Sequence, residues 1–272
     1  MSTENAGTTP PTSGRSSLSY LAFAGIVIAY LVIIQLGGIL IERWSDEDDI
    51  FTTRAVIFAM LIPIGLALVF TYGVIARLGW WRQVFVEERP VNRWLWVVPG
   101  VLLVAILVGI DYGALGEQGW LFVVTLLVAT QFVGWGEEGM FRGIGVTMLR
   151  SHGLSEGRVA LWSSLVFGVV HMSNVFSHGL SAVPQAIIVS LAGYFFYLTR
   201  RVSGSNVLNS VLHGLFDFAL LSGSAILLDQ AVYPGSLAPV LVYPVLAIVL
   251  LIKRHDIEPQ HPTADSQEAA RT

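Results

Sequence analysis

Glu137 and Glu138 are neighbours in this chain, Arg142 follows four residues after the second, and His171 and His213 lie further along, each inside an apolar segment. The local sequences are Glu137-Glu138-Gly139-Met140-Phe141-Arg142, Phe167-Gly168-Val169-Val170-His171 and His213-Gly214-Leu215-Phe216-Asp217. Carboxylates and imidazoles are the groups that bind metals and move protons. At bilayer depth an ionisable side chain costs several kcal/mol, roughly 2.5–3.5 even on the most lenient insertion scale. Three separate apolar segments each carry one, which asks for a functional explanation before a structural one.

Helical spacing divides the work. Glu138 and Arg142 are four apart, share a helix face and can pair, which makes a carboxylate tolerable among apolar groups. Glu137 then points roughly 100° away, free to face a cavity. This gives one working and one supporting glutamate, and close carboxylates favour protonation of one of them. His171 shares a face with Phe167 and Asn174, and His213 with Phe216 and Asp217.

Glu137, His171 and His213, drawn from three helices, can hold a tetrahedral divalent metal, zinc by preference, and leave one position for water. The same groups can activate water without metal, a glutamate acting as general base while the histidines and Asp217 stabilise the oxyanion. The residues alone leave both routes open. A Glu-Glu-Arg cluster also fits a solvated helix end, and a membrane histidine fits an interhelical hydrogen bond. The coincidence of three such segments, each with a polar companion at helical spacing, outweighs those readings.

The elements that carry these residues must be membrane helices. The chain has 272 residues, 54% hydrophobic and 12% charged, with mean hydropathy +0.68; soluble domains are nearer 25% charged. A net charge of -4 gives no footprint for nucleic acid, and the absence of cysteine excludes disulfides, thiolate metal sites and a cysteine nucleophile.

The fold expected is an all-α, polytopic integral membrane bundle of about eight transmembrane helices. Its spans lie near Leu18–Ile41, Ala55–Ile75, Trp94–Ile110, Trp120–Trp135, Val159–Phe176, Ala182–Leu198, Asn206–Leu228 and Leu237–Ile252. The fourth is expected to continue through the glutamates. Residues 1–17 and 255–272 read as disordered polar tails flanking a bundle over 18–254, with its chemical core at about 120–228.

Arg77, Arg82, Arg89 and Arg93 follow the second span, Arg142, Arg150 and Arg158 the fourth, Arg200 and Arg201 the sixth, and Lys253 the eighth. With both termini cytoplasmic, only Arg43 and Arg54 of the 15 basic residues lie outside, as the positive-inside rule requires. The cell membrane is the expected location. His171 and His213 then lie roughly 15–18 Å from the inner surface, with the glutamates shallower.

At these residues the chain resembles the CAAX protease and bacteriocin-processing family, also called CPBP or Abi. Its motifs are Glu-Glu-x-x-x-Arg, Phe-x-x-x-His and His-x-x-x-Asn/Asp, in that order on successive membrane helices. The resemblance covers about Trp120 to Leu228. It implies an intramembrane endopeptidase, generally metal-dependent, although a glutamate-centred mechanism without metal has been argued for the family. It implies Glu137 as the water-activating residue, and His171 and His213 as metal ligands or polarising groups. Glu138 and Arg142 complete the first motif. Asp217 stands where the family carries Asn or Asp; ionised, it cannot donate a hydrogen bond, which makes a carboxylate ligand more plausible than an amide-like oxyanion donor.

The implied substrate is a membrane-associated peptide, lipidated of CAAX type or a bacteriocin type. Other members are immunity or scaffold proteins without catalysis, and that is the alternative reading. A proton-coupled transporter is a third, although no pairing of repeats between the halves is visible. No His-Glu-x-x-His, Gly-x-Ser-Gly or Gly-x-Gly-Asp motif suggests another protease type.

Overall fold

The computed structural model describes residues 17–42, 52–89, 91–175, 179–223, 233–253 and 257. The expected polar tails therefore lie outside the described residues except for Ser17 and Ile257, as does most of the first connection. Ten helices organise the described residues: α1 Tyr20–Glu42, α2 Thr53–Leu78, α3 Trp81–Phe85, α4 Arg93–Gly109, α5 Tyr112–Gln118, α6 Trp120–Ser151, α7 Glu156–His171, α8 Ala182–Ser203, α9 Asn206–Ser222 and α10 Leu237–Ile252. Val86 and Ser205 form an isolated antiparallel bridge. The protein is an all-α, polytopic membrane bundle.

Length and composition support four or five crossings among the described residues. By length and composition, α1, α2, α6 and α8 can each cross a membrane, and a fifth crossing is available if α4 and α5, bent by 55°, act as one. Each of the eight expected segments carries a helix among the described residues, but α7 and α10 have 16 residues and α9 has 17. A 16-residue helix is about 24 Å long, against a hydrocarbon core of about 30 Å. The fifth expected span stops early because α7 ends at His171 and Met172–Asn174 tighten into a 3₁₀ turn.

The expectation for the fourth span holds, with a change of pitch. α6 runs unbroken through the glutamates for 32 residues. From Glu138 to Gly145 it adopts π-helical hydrogen bonding, and every residue of that stretch is buried. A π turn is wider than an α turn, shifts the angular phase of the residues after it, and frequently marks a functional site. Three side chains bond its carbonyls: Asn206 Nδ2 donates to Glu138 O at 3.0 Å, Thr147 Oγ1 to Gly143 O at 2.7 Å, and Arg200 Nη1 to Arg142 O. The corner between α8 and α9 thus holds the turn that carries the glutamates.

Glycines set the crossings. α9 packs along α6, and α7 along α8. A Cβ on Gly134 would strike the backbone at Ser210 and Gly214, and one on Gly214 would strike Gln131. Membrane helices approach this closely only where side chains are minimal. The contact lies about one turn from both Glu137–Glu138 and His213, so it brings those residues to the same level. Gly193 on α8 has a related use, because a Cβ there would strike the Arg142 guanidinium.

A second polar cluster closes one end of the bundle. Arg150, at the end of α6, pairs with Glu87 at 2.9 Å and with Glu156 at 2.7 Å. Arg201, at the end of α8, reaches Glu156 at 2.6 Å; Arg200 reaches Glu87 at 3.3 Å; Arg89 also pairs with Glu156. Three of the four basic connections used for orientation therefore meet at one end of the bundle.

Glu156 precedes the apolar segment that begins at Val159. Burial acts to raise its carboxyl, but hydrogen bonds from Arg150 and Tyr197 and the charges of Arg150 and Arg201 hold it down at about 2, below its ordinary 4.5. A depressed carboxyl stabilises the fold fully above its unfolded value and loses that contribution as pH falls through the folded one. The thermal midpoint of wild type is expected to exceed that of Glu156→Gln above pH 4.5, and the gap to narrow toward pH 2. A gap independent of pH would show that the Glu156 charge contributes nothing.

Candidate active site

The supporting glutamate is built into the bundle. Glu138 has no exposed surface. Its Oε1 accepts from Arg142 Nη1 at 2.9 Å and from His213 Nδ1 at 2.8 Å, while Oε2 accepts from Asn209 Nδ2. Beside the Arg142 cation this carboxylate is an acceptor only, so the proton shared with His213 sits on Nδ1 of the imidazole. Proton exchange by His213 is thereby confined to Nε2. The ring is fixed further by stacking on Phe196, with centroids 4.4 Å apart and planes at 14°.

Nε2 faces the other two acids. It lies 3.6 Å from Glu137 Oε2 and 3.7 Å from Asp217 Oδ2. Those distances are too long for a direct hydrogen bond and suit a bridging water. Both acids are less enclosed than Glu138: the Glu137 side chain keeps 14% and that of Asp217 23% of its accessibility. The working glutamate therefore faces accessible space and the supporting one does not, as the 100° offset requires.

His171 is half-buried at the end of α7. Its Nδ1 lies 2.9 Å from Phe167 O; a carbonyl only accepts, so this nitrogen carries the proton and Nε2 the lone pair of the neutral ring. The expected companion Asn174 turns instead to Gln185, with Nδ2 3.1 Å from Oε1. The helical spacing fails there because the chain has left the α-helix after His171. Phe167 explains its place in the motif. Its ring lies under the Arg142 guanidinium at 4.1 Å and meets His171 at 4.8 Å and His213 at 5.8 Å, both edge-on. One aromatic ring thus spaces three motif side chains, and the cation over its face is a favourable contact.

Both histidines have Nδ1 committed to an acceptor, the preparation that orients an imidazole for a metal or a proton at Nε2. Yet among the described residues no group of three His, Asp or Glu side chains could hold a metal ion. The zinc triad expected from Glu137, His171 and His213 is not assembled among the described residues; Glu137 and Asp217 are the acids beside Nε2 of His213, and Phe167 contacts both imidazoles.

Three neighbours of the site were not singled out from sequence. Asn206 and Asn209 precede His213 by seven and four residues on the same face of α9, where they bond the Glu138 backbone and carboxylate. That i, i+3, i+7 polar stripe in an apolar helix was a readable signal. Phe196 on α8 gave none, since a phenylalanine in a membrane helix is ordinary.

No curated protein matches the chain. Residues 118–219 match the family model described as Rce1-like, Type II CAAX prenyl endopeptidase Rce1-like, so an Rce1-like domain of the CAAX protease type extends from the start of α6 into α9.

Proposed function

We propose that this chain is an intramembrane endopeptidase in which Glu137 activates water against a peptide bond of a membrane-associated substrate. The observation that carries the reading is His213: its Nδ1 is held by the buried Glu138, and its Nε2 faces Glu137 and Asp217. Glu137 takes a proton from water, and the water oxygen bonds to the carbonyl carbon as the carbonyl π electrons move onto oxygen. Collapse of the tetrahedral intermediate breaks the C–N bond, and Glu137 returns the proton to the departing amine. His213 orients the water through Nε2. Arg142 holds Glu138, which holds His213.

A metal would require His171, His213 and an acid to be drawn together, and no step here passes through one. We expect elemental analysis of purified protein to give well under one equivalent of divalent metal. One equivalent, lost on His213→Ala, would restore the zinc reading.

The substrate proposed is a peptide anchored in or against the bilayer, lipidated of CAAX type or bacteriocin-like. A groove of about 650 Å³ between α1 and α7, walled by Phe23, Val27, Leu31, Phe141, Trp162 and Val166, supports an apolar substrate portion. The topology proposed is eight crossings in the cell membrane with both termini cytoplasmic, the shorter helices crossing where the bundle shields their ends. Clustering of Arg150, Arg200 and Arg201 at one end supports that orientation. Terminal-peptide profiling of membranes carrying wild type or Glu137→Gln tests the function: new termini that depend on Glu137 are expected, and identical profiles would remove the protease reading.

A further inference from the structure

α1 lies outside the matched domain and is apolar almost throughout. Three of its residues are buried, Phe23, Val27 and Tyr30, which form one stripe at helical spacing. Phe23 and Val27 have no polar atom. Tyr30 keeps only 2% of its surface exposed and carries a hydroxyl. That hydroxyl lies 3.4 Å from the place a Cβ on Gly136 would occupy, so the glycine before Glu137 makes room for it. Gly136 immediately precedes Glu137, so the hydroxyl sits beside the stretch of α6 that carries the glutamates. No hydrogen bond of the Tyr30 hydroxyl is found among the described residues.

The proposed reaction needs a donor aimed at the oxyanion. A tetrahedral oxyanion is stabilised by N–H or O–H groups aimed at it. When ionised, Glu137 and Asp217 only accept. Arg142 is engaged with Glu138 and stacked on Phe167. A phenol donates through its O–H while uncharged.

We propose that Tyr30 is a further residue of the site, its O–H donating to the oxyanion formed when water adds to the substrate carbonyl. The assignment rests on the protease reading, and it makes α1 a required wall of the active site. The donor is supplied from a helix beyond the family match.

Tyr30→Phe removes the hydroxyl and little else. With a peptide identified by the terminal profile, kcat is expected to fall about 10²–10³-fold with KM changed less than about threefold. Asp217→Asn placed in the Tyr30→Phe background supplies an amide donor in the same cluster and is expected to recover about tenfold, a rescue that a purely structural tyrosine would not allow. Unchanged kcat in Tyr30→Phe, or a loss that Asp217→Asn deepens, would overturn the proposal.

An arm without substrate separates this failure from failure of the protease reading. If wild type yields no termini that depend on Glu137, the protease reading is lost. A thermal double-mutant cycle of Tyr30→Phe with Glu137→Gln still reports on the hydroxyl. Non-additivity of about 2 °C or more is expected. An additive cycle would place the hydroxyl outside the carboxylate cluster and overturn the assignment.

Discussion

Glu137→Gln is expected to lower proteolytic turnover by about 10²–10⁴-fold, the range for loss of a general base, while the protein still inserts and folds. The substitution keeps the shape and one oxygen of the side chain and removes its ability to take a proton. It should be structurally mild because Glu137 is not a buried anchor: its carboxylate keeps part of its exposure and stands 3.6 Å from His213 Nε2, beyond direct bonding distance. Substrate affinity should change little, because the lost interaction belongs to the transition state. The assay is the appearance of a defined peptide terminus over time in reconstituted membranes, with folding followed by thermal unfolding in detergent. Undiminished turnover would assign the base elsewhere, with Asp217, 3.7 Å from the same nitrogen, the next group to test. Lost turnover with a collapsed thermal midpoint would mean that Glu137 supports the fold.

The sequence made much of this site legible because helices convert spacing into direction. The four-residue step from Glu138 to Arg142 became a buried pair, and the one-residue step to Glu137 turned the second carboxylate toward accessible space. The step from His213 to Asp217 likewise brought the two side chains to one place. The argument fails where the backbone stops being an α-helix. Asn174 is three residues after His171 in number only, because the helix has already tightened.

Contacts between helices carried weaker signals. Asn206 and Asn209 were readable from their stripe, whereas Tyr30 and Phe196 depend on which helices meet, and spacing within one helix does not encode that. The number of crossings is less legible for a related reason. Apolar composition marks burial in a bundle and contact with lipid alike, and α7, α9 and α10 are apolar at 16 or 17 residues.

Glu138→Ala is expected to be the most destabilising single change in the site, costing about 3–5 kcal/mol, the range for breaking a buried ion pair from one side. Wild type holds the carboxylate between Arg142, His213 and Asn209 with no exposure to water. Alanine removes the group that neutralises a guanidinium whose own side chain has no exposed surface. It also strands the Nδ1 proton of His213 in an apolar setting, which adds a desolvation cost. Turnover should fall with stability, because Nε2 loses its fixed direction.

Such a loss alone would not distinguish a vital charge pair from a badly filled cavity. The discriminating variant is Glu138→Gln with Arg142→Gln, which removes both charges and keeps most of the volume. If charge imbalance dominates, the double variant should unfold at a higher temperature than Glu138→Ala, because neutralising both partners of a buried pair is far milder than orphaning one. Its turnover should remain low, since a glutamine holds His213 less firmly than a carboxylate does. A double variant no more stable than Glu138→Ala would show that the pair contributes shape instead of charge. Retained turnover in it would remove Glu138 and Arg142 from the orienting of His213.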